Sequence, residues 1–364
     1  MTGRVARLDS ANRSFFALVA AALVPYVLLG ALGCGVLSLA GYRLVTEGWG
    51  GLDRGGEDLR AAVVFFGLVT AGTVVALLSV RRQVRATRAL GAGLGDRMVT
   101  PASDVADVAA RVGLAGRVEV VDDRDRFSFT YGVVRPRVVV SRGLVAALSP
   151  EELAAVLHHE RYHVGNWDTL KVMVARAAPA AFFFLPALGH LRDRYLAGRE
   201  LAADRRAIDA AGGRPLAAAL HQALERPAWA SFGAAAAVGG SEFLAMRVEQ
   251  LESGREPSLA RVPRWASAVT VAGLGLLSSA FVLAVTTAGA GMAMMGEGSD
   301  GRGPLFGGTG STVLGVLGGA VCMAAWVGIA FLVVRRGFHR GAGHIPLILR
   351  SQHSTNRSSS TIGD

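Results

Sequence analysis

The sequence predicts a mainly α-helical integral membrane protein in which two transmembrane helical hairpins flank a cytoplasmic α+β domain. Three observations carry this. The first is composition: 51% of the 364 residues are hydrophobic and the mean hydropathy is +0.39, too apolar for a soluble protein of this length. The second is four nearly uncharged stretches, Ser14–Tyr42, Ala61–Val80, Ala266–Met294 and Ser311–Val334, each meeting the roughly 20 residues a helix needs to cross the hydrocarbon core. The third is the placement of arginine. Arg4, Arg7 and Arg13 precede the first stretch, Arg81, Arg82, Arg85 and Arg88 follow the second, and Arg335, Arg336 and Arg340 follow the fourth. The short loops Arg43–Arg60 and Gly296–Gly310 mix Arg with Asp and Glu. The positive-inside rule then expects a multi-pass protein of the cell membrane with both termini and the central region in the cytoplasm.

The first stretch is expected to be a retained helix and not a signal peptide. Its apolar run is longer than a signal h-region, Pro25 lies near its middle and no A-x-A exit follows. The net charge of +10 suits contact with an anionic inner leaflet, so the bilayer is the first expected partner. The arginines flank spans and form no single patch, so no direct nucleic-acid partner is expected. Cys34 and Cys322 both fall within spans, which excludes a disulfide framework and a thiolate metal site. The expected domains are an N-terminal hairpin and linker (1–96, with Gly91–Gly95 as linker), a cytoplasmic domain (97–264), a C-terminal hairpin (265–335) and a disordered polar tail (336–364). A fifth apolar stretch, Ala177–Leu188, is interrupted by Pro179 and Pro186 and is too short to span. It suits a buried core or a membrane-dipping hairpin.

Within the central region, Val118–Val121, Phe127–Tyr131 and Arg137–Ser141 read as strands, with Gly132 and Pro136 marking the turn between the last two. Phe127–Tyr131 is a candidate edge strand for an extended peptide, or equally a structural hairpin over the next helix. That helix opens with a capping box at Ser149-Pro150-Glu151-Glu152, carries Leu153, Val156, Leu157 and Val164 as its apolar stripe, and stops at Gly165-Asn166. Its second half holds His159-Glu160-Arg161-Tyr162-His163, an H-E-x-x-H motif. On a helix the two histidines lie one turn apart on one face and can bind one Zn²⁺, while Glu160 beside them can take a proton from the attacking water. His158 points about 100° away from His159, and Arg161 and Tyr162 also face away.

A catalytic zinc site needs a third protein ligand. A second helix, expected over Leu191–Ala211 and ended by Gly212-Gly213, carries Glu200 and Asp204 one turn apart. One can bind metal while the other orients a ligand histidine. The alternative makes both of them surface charges beside Arg199, Arg205 and Arg206. His190 is a weaker candidate ligand, and Asp168 is either a carboxylate behind a ligand histidine or a helix cap. His221, His339, His344 and His353 lack ligand spacing.

From Phe127 to Ala211 the chain resembles the integral-membrane zinc metallopeptidases of the BlaR/MecR type. The resemblance is carried by Tyr131-Gly132, Arg135-Pro136-Arg137, Val138–Ser141, Leu148–Leu153, the H-E-x-x-H motif, Asp168 and Glu200-x-x-x-Asp204. It implies a gluzincin, zincin-like metallopeptidase domain with His159, His163 and Glu200 as zinc ligands, Glu160 as base and Asp204 behind a ligand. The family's transducers carry a penicillin-binding sensor after the last span. Only residues 335–364 follow that span here, so a short form without the sensor is expected. The implied partner is a protein or peptide substrate, in the transducers a cytoplasmic winged-helix repressor. The HtpX and CAAX-protease type shares the helix motif and E-x-x-x-D, implying membrane quality control as the alternative. A non-catalytic signalling scaffold is the alternative from another class.

Overall fold

The computed structural model describes residues 9–49, 56–225 and 243–279. The fourth apolar stretch, most of the third and the polar tail lie outside the described residues, as do Cys322, His339, His344 and His353. Two long helices come first: α1 (Ser10–Glu47), capped by the Asp9 carboxylate on the Asn12 N–H, and α2 (Gly56–Gly95). Among the described residues, Ser10–Ala31 of α1 is the one segment long and apolar enough to cross a membrane by length and composition. The glycines read as a linker, Gly91–Gly95, instead form the last turns of α2. Leu94 explains the difference. It is fully buried against Val121, Phe127 and Val139, and burying a leucine is worth roughly 1.5–3 kcal/mol, which offsets much of the helix penalty of about 1 kcal/mol per glycine.

A four-stranded sheet follows, in the order β1 (Met98–Val99), β2 (Val118–Val121), β4 (Arg137–Ser141), β3 (Ser128–Tyr131), with α3 (Ser103–Val112) between β1 and β2. β2 runs parallel to β4 with Val118 opposite Val138. β3 runs antiparallel to β4 with Ser128 opposite Val140 and Tyr131 opposite Arg137. Val138, Val139 and Val140 are wholly buried, as a continuous apolar run in an inner strand should be. The turn between β3 and β4 requires glycine: Gly132 has φ +88°, and a Cβ there would sit 2.7 Å from the Arg135 carbonyl oxygen. β3 is an edge strand, one of the two readings the sequence left open for Phe127–Tyr131. Its alternation sends Phe129 and Tyr131 to the Leu90, Leu94 and Met98 side, and Ser128 and Thr130 to the opposite face.

The helical half begins with the short α4 (Arg142–Ala147) and continues with α5 (Pro150–Gly165), α6 (Asp168–Ala181), α7 (Pro186–Ala211), α8 (Gly213–Glu225) and α9 (Leu244–Ser253). The expected capping box of α5 is complete: Ser149 Oγ accepts from the Glu152 N–H at 3.3 Å, and Glu152 accepts from the Ser149 N–H at 2.8 Å. α7 starts at Pro186, five residues before the expected Leu191, and Thr270 Oγ1 accepts from the Ala187 N–H at 3.1 Å. Pro186 at the first helical position is the local mark of this start, while its cap comes from 83 residues away and leaves none. Leu153, Leu157 and Val164 of α5 bury into a core with Val105, Val120, Val138 and Leu144. A second core joins α1 to α6 and α7 through Leu18, Leu29, Phe182, Leu185, Leu188 and Tyr195. α5 therefore has the sheet on one side and α7 on the other.

Thermal unfolding in detergent should rank two variants of α5. Leu157→Ala empties a fully buried site and should cost about 2–5 kcal/mol. Ser149→Ala removes one cap and should cost about 1 kcal/mol. A smaller shift for Leu157→Ala than for Ser149→Ala would contradict the packing described.

Candidate metal centre

His159 and His163 project from the buried face of α5 towards α7, where Glu200 meets them. Their Nε2 atoms lie 3.2 Å apart, and the Glu200 carboxylate oxygens are 3.5 Å from His159 Nε2 and 3.9 Å from His163 Nε2. Ligand atoms of all three lie within 4.8 Å of one another. Two nitrogens bound to one tetrahedral zinc at 2.0–2.1 Å would be about 3.3 Å apart, so the spacing fits such an ion.

Each imidazole is held from behind by a carboxylate. His159 Nδ1 lies 2.7 Å from Asp204 Oδ1, and His163 Nδ1 lies 2.6 Å from Asp168 Oδ2. A carboxylate accepts only, so each Nδ1 donates and each Nε2 is left with its lone pair facing the centre. The carboxylates are themselves anchored. Arg247, on α9, donates to Asp204 through Nε (2.7 Å) and Nη2 (2.8 Å). Tyr195 Oη (3.0 Å) and Asn166 Nδ2 (2.7 Å) donate to Asp168. Arg199 Nη2 lies 3.0 Å from Glu200.

The electrostatics favour an added cation. Burial would raise the Glu200 carboxyl, but the Arg199 guanidinium and the two histidines hold it well below the usual carboxylate range. Burial likewise opposes ionisation of Asp204 and Asp168, and Arg247 and His163 respectively hold them low. Burial pulls the His159 imidazole down, yet the charge and hydrogen bond of Asp204, with a hydrogen bond from Glu200, take it up to about 9. Four carboxylates, Glu160, Glu200, Asp168 and Asp204, thus gather here with Arg199, Arg247 and Lys171, and a metal ion bound at His159 would replace the proton that Asp204 stabilises on its imidazole.

Glu160 stands beside this triad and is held differently. Ser128 Oγ donates to one carboxylate oxygen at 3.0 Å and Thr130 Oγ1 to the other at 2.8 Å, both from the edge strand β3. The link from α5 to α6 is correspondingly tight. Trp167 has φ +57°, a conformation that a bulky residue adopts at a cost of order 1–3 kcal/mol, and it brings Asp168 back under His163.

The structure thus brings together His159, Glu160, His163, Glu200, Asp204 and Asp168. The reading of Glu200 and Asp204 as surface charges is overturned, because they are 3% and 0% exposed while Arg205 and Arg206 face solvent. Asp168 backs His163 instead of capping its helix, since the cap position of α6 is Trp167. His190 is not at the centre; its ring lies edge-on to Trp265. Tyr162 turns away and donates to Asp9 at 2.7 Å, His158 is half-buried outside the triad, and His221 is exposed. Sequence reasoning missed Ser128, Thr130, Tyr195, Asn166, Arg199 and Arg247 as partners. The Ser-x-Thr spacing on β3 was a usable signal, since period two puts both hydroxyls on one face. Arg247 had none.

A model of the BlaR1 peptidase M56 family matches residues 57–251, more than half of the chain and every residue of this centre. The chain belongs to that family. It is also 28% identical over 179 residues to the Protease HtpX of Alkalilimnicola ehrlichii, covering 46% of this chain and 57% of that protein. To a Protease HtpX homolog of Herminiimonas arsenicoxydans it is 27% identical over 157 residues, covering 41% and 54%. The chain thus spans little more than half the length of these relatives. The family and both relatives support a membrane-associated peptidase.

Elemental analysis of purified protein tests the triad. Glu200→Ala should lower bound divalent metal sharply. Asp204→Asn, which leaves the ligand atoms in place, should weaken affinity by about 10–100-fold in chelator competition. Unchanged metal content in Glu200→Ala would move the third ligand elsewhere.

Proposed function

We propose that this chain is a multi-pass zinc endopeptidase that hydrolyses peptide bonds on the cytoplasmic side of the membrane. The observation that carries the proposal is the convergence of both Nε2 atoms and Glu200 on one point with Glu160 held beside it, outside the ligand set. His159, His163 and Glu200 would hold the ion. Bound there, zinc supplies Lewis acidity at the scissile carbonyl and acidifies water.

The remaining chemistry belongs to the chain. Glu160 takes a proton from the water as the water's oxygen bonds to the carbonyl carbon. It then passes that proton to the amide nitrogen as the C–N bond breaks, leaving a carboxylate and an amine. Ser128 and Thr130 hold the Glu160 carboxylate in one orientation through both transfers. Asp204 and Asp168 keep the imidazole tautomers fixed. The outer edge of β3 has no strand partner among the described residues and can take an extended peptide by backbone hydrogen bonds, next to Glu160.

The substrate class follows from the family resemblance: a cytoplasmic repressor of winged-helix type, cleaved to relieve transcription. A second reading, drawn from the resemblance to the HtpX type, is a quality-control peptidase acting on membrane proteins; two proteases of that name are among the relatives. Both use the same centre. Four spans with both termini cytoplasmic remain the proposed topology.

Glu160→Gln should retain metal and fold while losing about 10²–10⁴-fold in peptide hydrolysis. Mass spectrometry of cleavage products in cells carrying each form reads this and identifies the substrate. Wild-type cleavage by the variant would remove Glu160 as base. Topology is read separately: reporter fusions after Arg88 and Gly213 should be cytoplasmic and a fusion at Asp53 external. An external signal at Gly213 would mean that the chain crosses the membrane between α5 and α7.

A further inference from the structure

The turn joining α6 to α7 sits among segments read as membrane spans. Charge-free residues run only from Ala177 to Leu191, fewer than the roughly 20 that a crossing helix needs. The packing gives their depth. At the lower level, Lys171 donates to Asn12 Oδ1 at 2.6 Å, tying the start of α6 to the start of α1. Gln83 Nε2 lies 3.4 Å from the Met173 carbonyl, tying α6 to the arginine-rich part of α2. Arg13 and Arg82 are the chain neighbours of these two polar anchors. His190 of α7 meets Trp265, whose neighbour is Arg264, and Trp beside Arg is the composition of a membrane–water boundary.

Above that level the contacts become apolar and close. A Cβ on Gly72, in the middle of the second expected span, would lie 3.0 Å from the Ala181 carbonyl oxygen. One on Gly273, in the third, would lie 3.4 Å from Leu185. From Met173 to Ala181 the helix climbs about 12 Å at 1.5 Å per residue, a little under half of the roughly 30 Å hydrocarbon core. Phe182 and Leu185 turn inward to the core shared with Leu18 and Leu29 of α1, whereas Phe183 is 80% exposed.

Irregular chain in lipid must satisfy its polar groups internally, and much of the backbone around this turn does so. The N–H groups of Phe182, Leu185 and Leu188 bond to the carbonyls of Ala178, Phe182 and Leu185. That of Ala187 bonds to Thr270 Oγ1, and Pro186 has no N–H.

We propose that residues 182–185 form a wedge that enters the bilayer from the cytoplasmic side, stops part-way and sets Phe183 against lipid acyl chains. The proposal rests on the reading of α1 and α2 as spans. Asn166, three residues after His163, is bonded to both Asn12 and Lys171 at the polar level, so the wedge fixes the metal centre at the membrane surface.

Nitroxide accessibility in the full chain tests it, with Cys34 and Cys322 replaced by Ser and the protein reconstituted in phosphatidylcholine–phosphatidylglycerol vesicles. Labels are placed at Phe183→Cys, at Leu23→Cys on the exposed face of α1, and at Asp193→Cys on the exposed side of α7. The expected result is preferential collision with oxygen at 183 and 23, and with a water-soluble nickel chelate at 193. If 183 behaves like 193 while 23 reports lipid, the wedge is wrong and the spans stand. If neither 23 nor 183 reports lipid, the span reading fails and takes the wedge with it. Low collision with both reagents at 183 would mean that another segment of the chain covers Phe183, which also overturns the proposal.

Discussion

Two imidazoles one helical turn apart can aim both Nε2 lone pairs at one point only if both Nδ1 protons are held elsewhere. Asp204 and Asp168 impose that condition here, from different helices and at 2.7 and 2.6 Å. Much of the surrounding architecture serves to keep those two carboxylates ionised and still in a buried place. Arg247 neutralises one, while Tyr195 and Asn166 orient the other. α7 is buried all round from Tyr195 to Asp204, so it can offer Tyr195 on one side and Glu200 and Asp204, one turn apart, on the other. The strained Trp167 turn has the same origin, since it folds the chain back far enough for Asp168 to reach the histidine five residues before it.

Such a network is a liability as well as a frame. Each carboxylate taken out of water loses hydration that only close partners restore. Removing one member of a buried pair typically costs roughly 3–5 kcal/mol because the survivor is left uncompensated. The partners here are bidentate or multiple, so each charge is shared among several donors. Glu160 belongs to a separate arrangement. It takes its hydrogen bonds from hydroxyls of a strand, not from guanidinium groups, so Arg199 and Arg247 act on it only through charge and leave its orientation to β3.

What could be read from the sequence was what repeats locally. The capping box, the H-E-x-x-H turn and the Glu200/Asp204 pair are all defined within one or two helical turns, and all lie where periodicity put them. The edge position of β3 was one of two equal readings of Phe127–Tyr131, since neither its composition nor its turn to β4 says what lies on its other side. Three features were missed. Gly91–Gly95 looked like a linker because propensity is local, whereas Leu94 is buried by strands that come later in the chain. The start of α7 was misplaced although Pro186 marks it, because its cap comes from Thr270. Arg247 was invisible because an ion pair across 43 residues imposes no spacing on either partner.

That long-range pair also sets an order of assembly. When Asp204 is added to the growing chain, its countercharge is still 43 residues from being made. Until α9 arrives, the carboxylate that steadies His159 has no guanidinium to offset its burial, and the ligand geometry is unfinished. The ligand frame therefore depends on a residue that lies beyond both ligand-bearing helices in the chain. A chain cut short before Arg247 would keep every ligand and lose the group that balances the carboxylate behind one of them.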